Sequence, residues 1–243
     1  MTWSNRFRLF LGMIVVLAVV LGCTLVLSQR ETQVDSRSAS VKATTYSVGA
    51  DYAGTVVTQK VNQGDTVKTG QPLLTIQSAT LAAALAAKTK VPSSTAYTVT
   101  APGLLTLIAT QPGIVSQIGA HVGGFVSAGS ALATIDRAGS LFVLADFQLD
   151  PYDFSRVQKG ARVDLTLPNQ EQLAGTVSRI SVTTVSGKAE VSIEVRSAQL
   201  VRGTHNGLVM PGTPITATLH LRADGPLGGL KETFVSLLHT VGL

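Results

Sequence analysis

Polar and apolar positions alternate in short runs along most of this 243-residue chain, and one pattern is written twice. Residues 54–76 read GTVVTQKVNQGDTVKTGQPLLTI, and fifty-nine positions later residues 113–135 read GIVSQIGAHVGGFVSAGSALATI, without a gap. Gly54, Val56, Gly64, Val67, Gly70, Leu73, Thr75 and Ile76 recur as Gly113, Val115, Gly123, Val126, Gly129, Leu132, Thr134 and Ile135. Runs of Val, Thr, Ile and Leu broken by Gly at close intervals predict strands joined by tight turns. Gly64 and Gly70, with Gly123 and Gly129 in the second copy, stand where such turns need positive φ, which glycine takes at little cost. Neither copy can bury its apolar face alone. The doubling therefore predicts two halves related by a pseudo-twofold and closed on each other as a flattened β-sandwich.

Between the copies lies QSATLAAALAAKTKVPSSTAYTVTAPG. Residues 79–88 are strong helix formers, with Ser78 or Thr80 as the cap and Val91-Pro92 as the stop. Leu81 and Leu85, one turn apart, would pin this helix to the sandwich, and about ten residues span only about 15 Å. From Ser140 the pattern changes to about six strands in about 80 residues, with a turn-helix between Asp150 and Val157 and a hairpin around Ser186-Gly187. Asp150-Pro151 reads as a helix start with Asp150 as cap. This region predicts a small second β-barrel.

The flanks differ from the body. Leu9 to Leu27 hold no charge and would make a helix about 28 Å long, close to a bilayer core and longer than the apolar part of a cleaved signal. This run predicts an uncleaved anchor. Residues 29–44 are Ser, Thr, Gln and charge, and read as a tether. Near the end, Leu230, Phe234, Leu237, Leu238 and Val241 fall at helical spacing, which suits a helix packed on the protein or one lying on a membrane. The expected organisation is all-β: an anchor over 1–29, a linker over 30–45, and a sandwich over 46–139 with its insert at 77–96. A barrel over 140–223 and an amphipathic segment over 224–243 follow.

Charge adds little. The 19 basic and 14 acidic residues give a pI of 9.6, but no basic block exists and aromatics are not interleaved with basic residues, which argues against a nucleic-acid surface. Cys23 is the single cysteine and sits in the apolar run. VLGC loosely resembles a lipobox, but TLVL continues the apolar stretch. His121, His205, His220 and His239 are scattered without metal-site spacing, and Asp150, Asp153 and Asp164 are too dispersed for an acid/base pair. No nucleophile-elbow or P-loop motif is present. No catalytic, cofactor-binding or metal residue is expected, only the structural turn glycines Gly64, Gly70, Gly123 and Gly129.

The doubled unit resembles biotinyl and lipoyl carrier domains. There the modified lysine stands on a hairpin between the halves, but Lys88 and Lys90 lie here in an Ala/Thr/Val setting without flanking Met. The whole order is similar to the HlyD-like membrane fusion, or adaptor, proteins: one N-terminal span, split lipoyl halves, then a barrel. The stretches carrying it are GTVVTQKVNQGDTVKTGQPLLTIQSATL, YTVTAPGLLTLIATQPGIVSQIGAHVGGFVSAGSALATID, LFVLADFQLDPYDFSRVQKGARVDLTLP and GLVMPGTPITATLHL, within residues 46–222. The resemblance implies a non-enzymatic, single-pass protein of the cytoplasmic membrane with its body outside the cytoplasm. It also implies self-association and a membrane-embedded transporter as partner, an ABC-type permease in this reading. One departure is clear. Family members of two-membrane cells usually carry a long helical hairpin between the lipoyl halves, and here the insert is one short helix. An accessory subunit of a membrane-bound polysaccharide synthase or cell-envelope assembly complex is the alternative function. If neither lysine is a carrier site, the mass of a peptide spanning Lys88 and Lys90 will equal that calculated from sequence, and a covalent addition on either would restore the carrier reading.

Overall fold

The computed structural model describes residues 32–87, 94–185 and 188–222, together with residues 12 and 13. The expected anchor (save those two residues), Cys23, Lys88, Lys90, the tip at Ser186-Gly187 and the segment 224–243 lie outside the described residues. Among the described residues, no helix is long and apolar enough to cross a membrane. The chain divides into two compact units: Lys42–Leu141, and Met1–Val41 with Phe142–Leu243.

The unit Lys42–Leu141 holds the doubled pattern. The first copy supplies β3 (Gly54–Gln59), β4 (Thr66–Val67) and β5 (Pro72–Gln77), and the second supplies β8 (Gly113–Ile118), β9 (Phe125–Val126) and the first part of β10 (Ala131–Leu149). Each copy gives its two-residue strand away: β9 pairs with β3 of the first copy, and β4 pairs with β8 of the second. The registers match position for position. Val56 faces Ile76 and Val115 faces Ile135, and each pair is followed by a bulge, at Val57 in one copy and Ser116 in the other. The turns are exchanged too. Gly64 N donates to Val115 O at 2.8 Å, and Gly123 N donates to Val56 O at 2.8 Å. Likewise Gly70 N donates to Ala109 O and Gly129 N to Ala50 O, at 2.8 and 2.7 Å.

Two sheet layers result. One is β6 (Tyr97–Ala101), β7 (Leu104–Ile108), β5, β3 and β9 in that order; the other runs through β10, β8 and β4, with β2 (Ser38–Gly49) on β10. Their inner faces bury Val56, Leu74, Ile76, Leu105, Val115 and Ile135 at 0–1% exposure. The insert forms α1 (Ala79–Ala86), capped by Ser78, whose hydroxyl accepts from Leu81 N at 3.2 Å. Leu81 is buried in the sandwich core and Leu85 packs against it, so the helix is held by tertiary contact as its shortness requires.

The second unit is a barrel. Its strand order is β1 (Gln33–Asp35), β14 (Thr216–His220), β11 (Arg162–Thr166), β12 (Gln172–Val185), β13 (Lys188–Arg196) and β10, with β2 on the far side of β10. The start of β2 closes the ring. Arg37 N donates to Asp146 O on β10 at 2.8 Å. On the other side Ile215 N donates to Ala39 O and Val41 N to Thr213 O, both at 3.0 Å. Strict alternation fills the interior: Val143, Ala145, Phe147 and Leu149 point in from β10 and Val191, Ile193 and Val195 from β13, all buried. Asp146 fastens the seam from outside, accepting from Ser38 Oγ at 2.9 Å and Ser192 Oγ at 2.6 Å. A short helix α2 (Pro151–Ser155) follows β10; Asp150 is its N-cap by position, but its side chain makes no capping bond.

The tether expected over 30–45 is corrected: β1 and β2 occupy most of it. Its Ser and Thr residues hide a period of two, with Ala39 and Val41 buried in the barrel. Ladder bonds to β10 and β14 outweigh the polar composition.

Two kinds of glycine recur in the repeat. The four turn glycines have φ of +80° to +93° and open space where a Cβ would stand. Gly54 and Gly113 differ: a Cβ on either would run into a backbone carbonyl, of Gln77 or Asp136, and stand 2.7 Å from Ile76 or Ile135 Cγ2. Gly54→Ala and Gly113→Ala should each cost about 1–3 kcal/mol by overpacking, and Gly64→Ala about 1–2 kcal/mol by backbone conformation alone. Chemical denaturation checks this, and an unchanged midpoint in Gly113→Ala would overturn the close-approach assignment.

Candidate functional site

The four sequence-predicted residues sit in turns at the ends of the sandwich strands, where the amides of Gly64 and Gly123 reach the opposite copy and those of Gly70 and Gly129 reach Ala109 and Ala50, just ahead of the copies. They are backbone devices and bring no reactive group. What they frame is an uneven surface. Phe125 lies opposite Thr55 and is 72% exposed, Val122 precedes the turn bonded to Val56 and is 59% exposed, and the bulge residue Val57 is 45% exposed. The pseudo-twofold equivalents of these three are Thr66, Gln63 and Ser116. The same backbone therefore carries an apolar side on one copy junction and a polar side on the other. The fold does not demand the apolar version, so these three side chains are candidates for contact with something outside the sandwich.

Titratable groups gather on the barrel. His220 Nε2 lies 2.7 Å from Asp164 Oδ2, and Arg162 Nε donates to Asp164 Oδ1 at 2.9 Å. Burial alone would raise the Asp164 carboxyl, but the hydrogen bonds from His220 and Arg162, and their charge, outweigh it and hold it below the ordinary aspartate range. In the loop before β14, His205 and Asn206 take positive φ, and His205 Nδ1 makes a short contact with Glu171 Oε2 in the β11–β12 turn. Hydrogen bonds from Asn169 and then His205 lower the Glu171 carboxyl. Glu194 pairs with Arg196 at 2.9 Å and Arg179 at 3.7 Å. Arg156 is different, its side chain only 8% exposed. Its Nε donates to Arg222 O at 2.7 Å, an Nη lies 3.5 Å from Asp153, and its guanidinium stands 5.5 Å from the centre of the Tyr152 ring.

The His220–Asp164, His205–Glu171 and Arg179–Glu194 pairs each join one strand or turn to another, whereas Arg162–Asp164 and Arg196–Glu194 lie within single strands. Among the described residues no group of three or more His, Cys, Asp or Glu is placed to hold a metal. His121 is exposed in a sandwich turn, and His239 lies outside the described residues. The His205–Glu171 and His220–Asp164 pairs escape a reading of spacing because their partners are 34 and 56 residues away.

No protein-family model matches the chain, and no curated protein matches it by sequence. Solved structures do match. The chain is similar to ZneB from Cupriavidus metallidurans with a TM-score of 0.58 and 17% identity, covering 78% of this chain and 98% of that one. It is similar to MacA from Actinobacillus actinomycetemcomitans with a TM-score of 0.56 and 14% identity, covering 78% of each chain. A MacA-MexA chimera carrying the Pseudomonas aeruginosa MexA α-hairpin domain gives 0.55 and 15%, covering 78% of this chain and 82% of that one. The chain thus shares its fold with ZneB and MacA.

The folded-state pKa of Asp164 is depressed, so its ion pairs stabilise the barrel above the unfolded aspartate value of about 3.9, and that contribution is lost as pH falls through the lower folded value. Asp164→Asn should lower stability at pH 7 by about 1 kcal/mol, and the gap to the parent should close on acidification toward pH 3. Denaturant melts at both pH values check it; equal midpoints at pH 7 would remove the assigned role.

Proposed function

We propose that this chain is a membrane-anchored, extracytoplasmic adaptor subunit of an export or efflux system. It links a transporter of the cytoplasmic membrane, an ABC-type permease in this reading, to the exit path. The carrying observation is the fold likeness to ZneB and MacA, which covers 78% of the chain and includes both units. The apolar side at Val57, Val122 and Phe125 supports the sandwich as a contact module for subunits of a homo-oligomer or for the partner.

The insert shapes the proposal further. With α1 only eight residues long, about 12 Å at 1.5 Å per residue, and buried through Leu81, it offers no long arm toward a distant channel. The body works near its own membrane.

Cross-linking in cells, solubilisation of membranes and mass spectrometry of what copurifies with the tagged chain test this reading. The expected result is a permease together with its ATPase. Recovery of a glycosyltransferase instead would overturn it and make the chain a polymer-guiding subunit of a synthase.

A further inference from the structure

We propose that the apolar junction of the sandwich meets the same junction of a second copy of this chain across a two-fold axis. The inference deepens the reading of the sandwich as a contact module and rests on it, and it needs no particular transporter.

The patch is built by the exchanged strands. Phe125 of β9 stands opposite Thr55 of β3, and Val126 opposite Gly54. Gly54 and Val126 are buried, so Thr55 and Phe125 share the outward face. Val57 follows Thr55 by two residues and is exposed on the same face, a diagonal neighbour of Phe125 at about 7–8 Å. Gly123 N donates to Val56 O at 2.8 Å and Val56 N to Gly124 O at 2.9 Å, which lays the turn carrying Val122 beside Val56 and Val57.

The internal repeat is a control for charge as well as for polarity. At the other junction, β4 is flanked by exposed Asp65 and Lys68. The matched positions beside β9 are Gly124 and Ser127. Residues 94–135 contain no Asp, Glu, Lys or Arg at all. The junction that carries Val57, Val122 and Phe125 therefore also lacks the two charges that its counterpart keeps. An apolar centre without charge is the composition of the buried middle of a protein interface.

The same pattern selects the occupant. An anionic lipid surface is drawn by nearby Lys and Arg, and β9 with its two turns offers none. Head-to-tail packing of copies would press this junction on the other one and strip water from Asp65 and Lys68 with no opposite charge across the contact. A two-fold sets the uncharged patch on itself. With the axis across β3 at Thr55, Lys60 of each copy lies five residues beyond it. The two Lys60 backbones then stand about 33 Å apart at about 3.3 Å per residue, so like charges do not meet. A stable dimer takes about 800 Å² from each partner, more than three side chains supply. Exposed Thr55, Ser127 and Ala128 widen the patch with neutral groups.

The test uses the full chain in the cells that express it, in a Cys23→Ser background. Thr55→Cys leaves the apolar trio intact and places one thiol beside the axis. Mild oxidation, or a short bis-maleimide, should join Thr55→Cys chains as dimers and nothing larger. Adding Phe125→Ser should lower that yield about tenfold, and adding Phe125→Leu should keep it. Phe125 is exposed in the single chain, so neither change enters the core. Absence of the Thr55→Cys dimer, or a yield indifferent to Phe125→Ser, overturns the proposal. Cross-linking of Thr55→Cys to Thr66→Cys in mixed chains, with a ladder of higher species, would mean head-to-tail packing and overturns it as well. So does transfer of a photo-cross-linker carried on Phe125→Cys to lipid or to another protein. Copurification separates this contact from the adaptor reading. Recovery of the permease and ATPase without the Thr55→Cys dimer sinks only the two-fold, and the dimer without the permease sinks only the transporter.

Discussion

The sandwich depends on one reciprocal exchange. Gly64 of the first copy donates its amide to Val115 of the second, and Gly123 of the second donates to Val56 of the first, both at 2.8 Å. The partner strands answer: Val115 N donates to Asp65 O and Val56 N to Gly124 O, both at 2.9 Å. Each turn is thus satisfied by the half to which it does not belong. A single copy would leave those backbone groups unpaired and its apolar face wet, and both are costly. Gly54 and Gly113 complete the logic, because the strands that receive the exchanged pieces run too close to β5 and β10 for any side chain at those two positions.

The repeat made this part legible without coordinates. Glycine at matched positions in two copies is informative because only a backbone requirement explains it at Gly64 and Gly123, where no side chain is near. What spacing did not reveal was exchange: nothing in the sequence says that Thr66-Val67 pairs with Gly113-Ile114 and not with its own copy. Residues 30–45 misled for a related reason. Ser, Thr and charge dominate there, and a barrel seam needs only Ala39 and Val41 inside it, with Asp146 and the backbone supplying the remaining bonds. Pairs such as Glu171 with His205 were invisible because they form only once the barrel has brought two turns together.

Pseudo-symmetry also separates what the fold requires from what it merely tolerates. The paired positions Val56 and Val115, or Ile76 and Ile135, remain apolar in both copies because both face the core. Val57, Val122 and Phe125 are apolar while Ser116, Gln63 and Thr66 are not, although the backbone around each set is bonded alike. Within one chain the second copy acts as a control for the first. The difference is one that the fold tolerates and does not require.

The barrel treats its two chain ends in the same economical way. A closed β-ring has no free edge on which a flanking segment could continue the sheet. Here the ring closes through β2, and β1 is a three-residue strand laid on β14 that begins where the N-terminal flank ends. Thr32 and Leu221 hold the two flanks together, and buried Arg156 fixes the exit by binding the main chain of Arg222. A charge so enclosed is costly unless its partners are fixed, and Asp153, the Tyr152 ring and the Arg222 carbonyl supply them. The arrangement ties the start of β1, the end of β14 and α2 together at that end of the barrel.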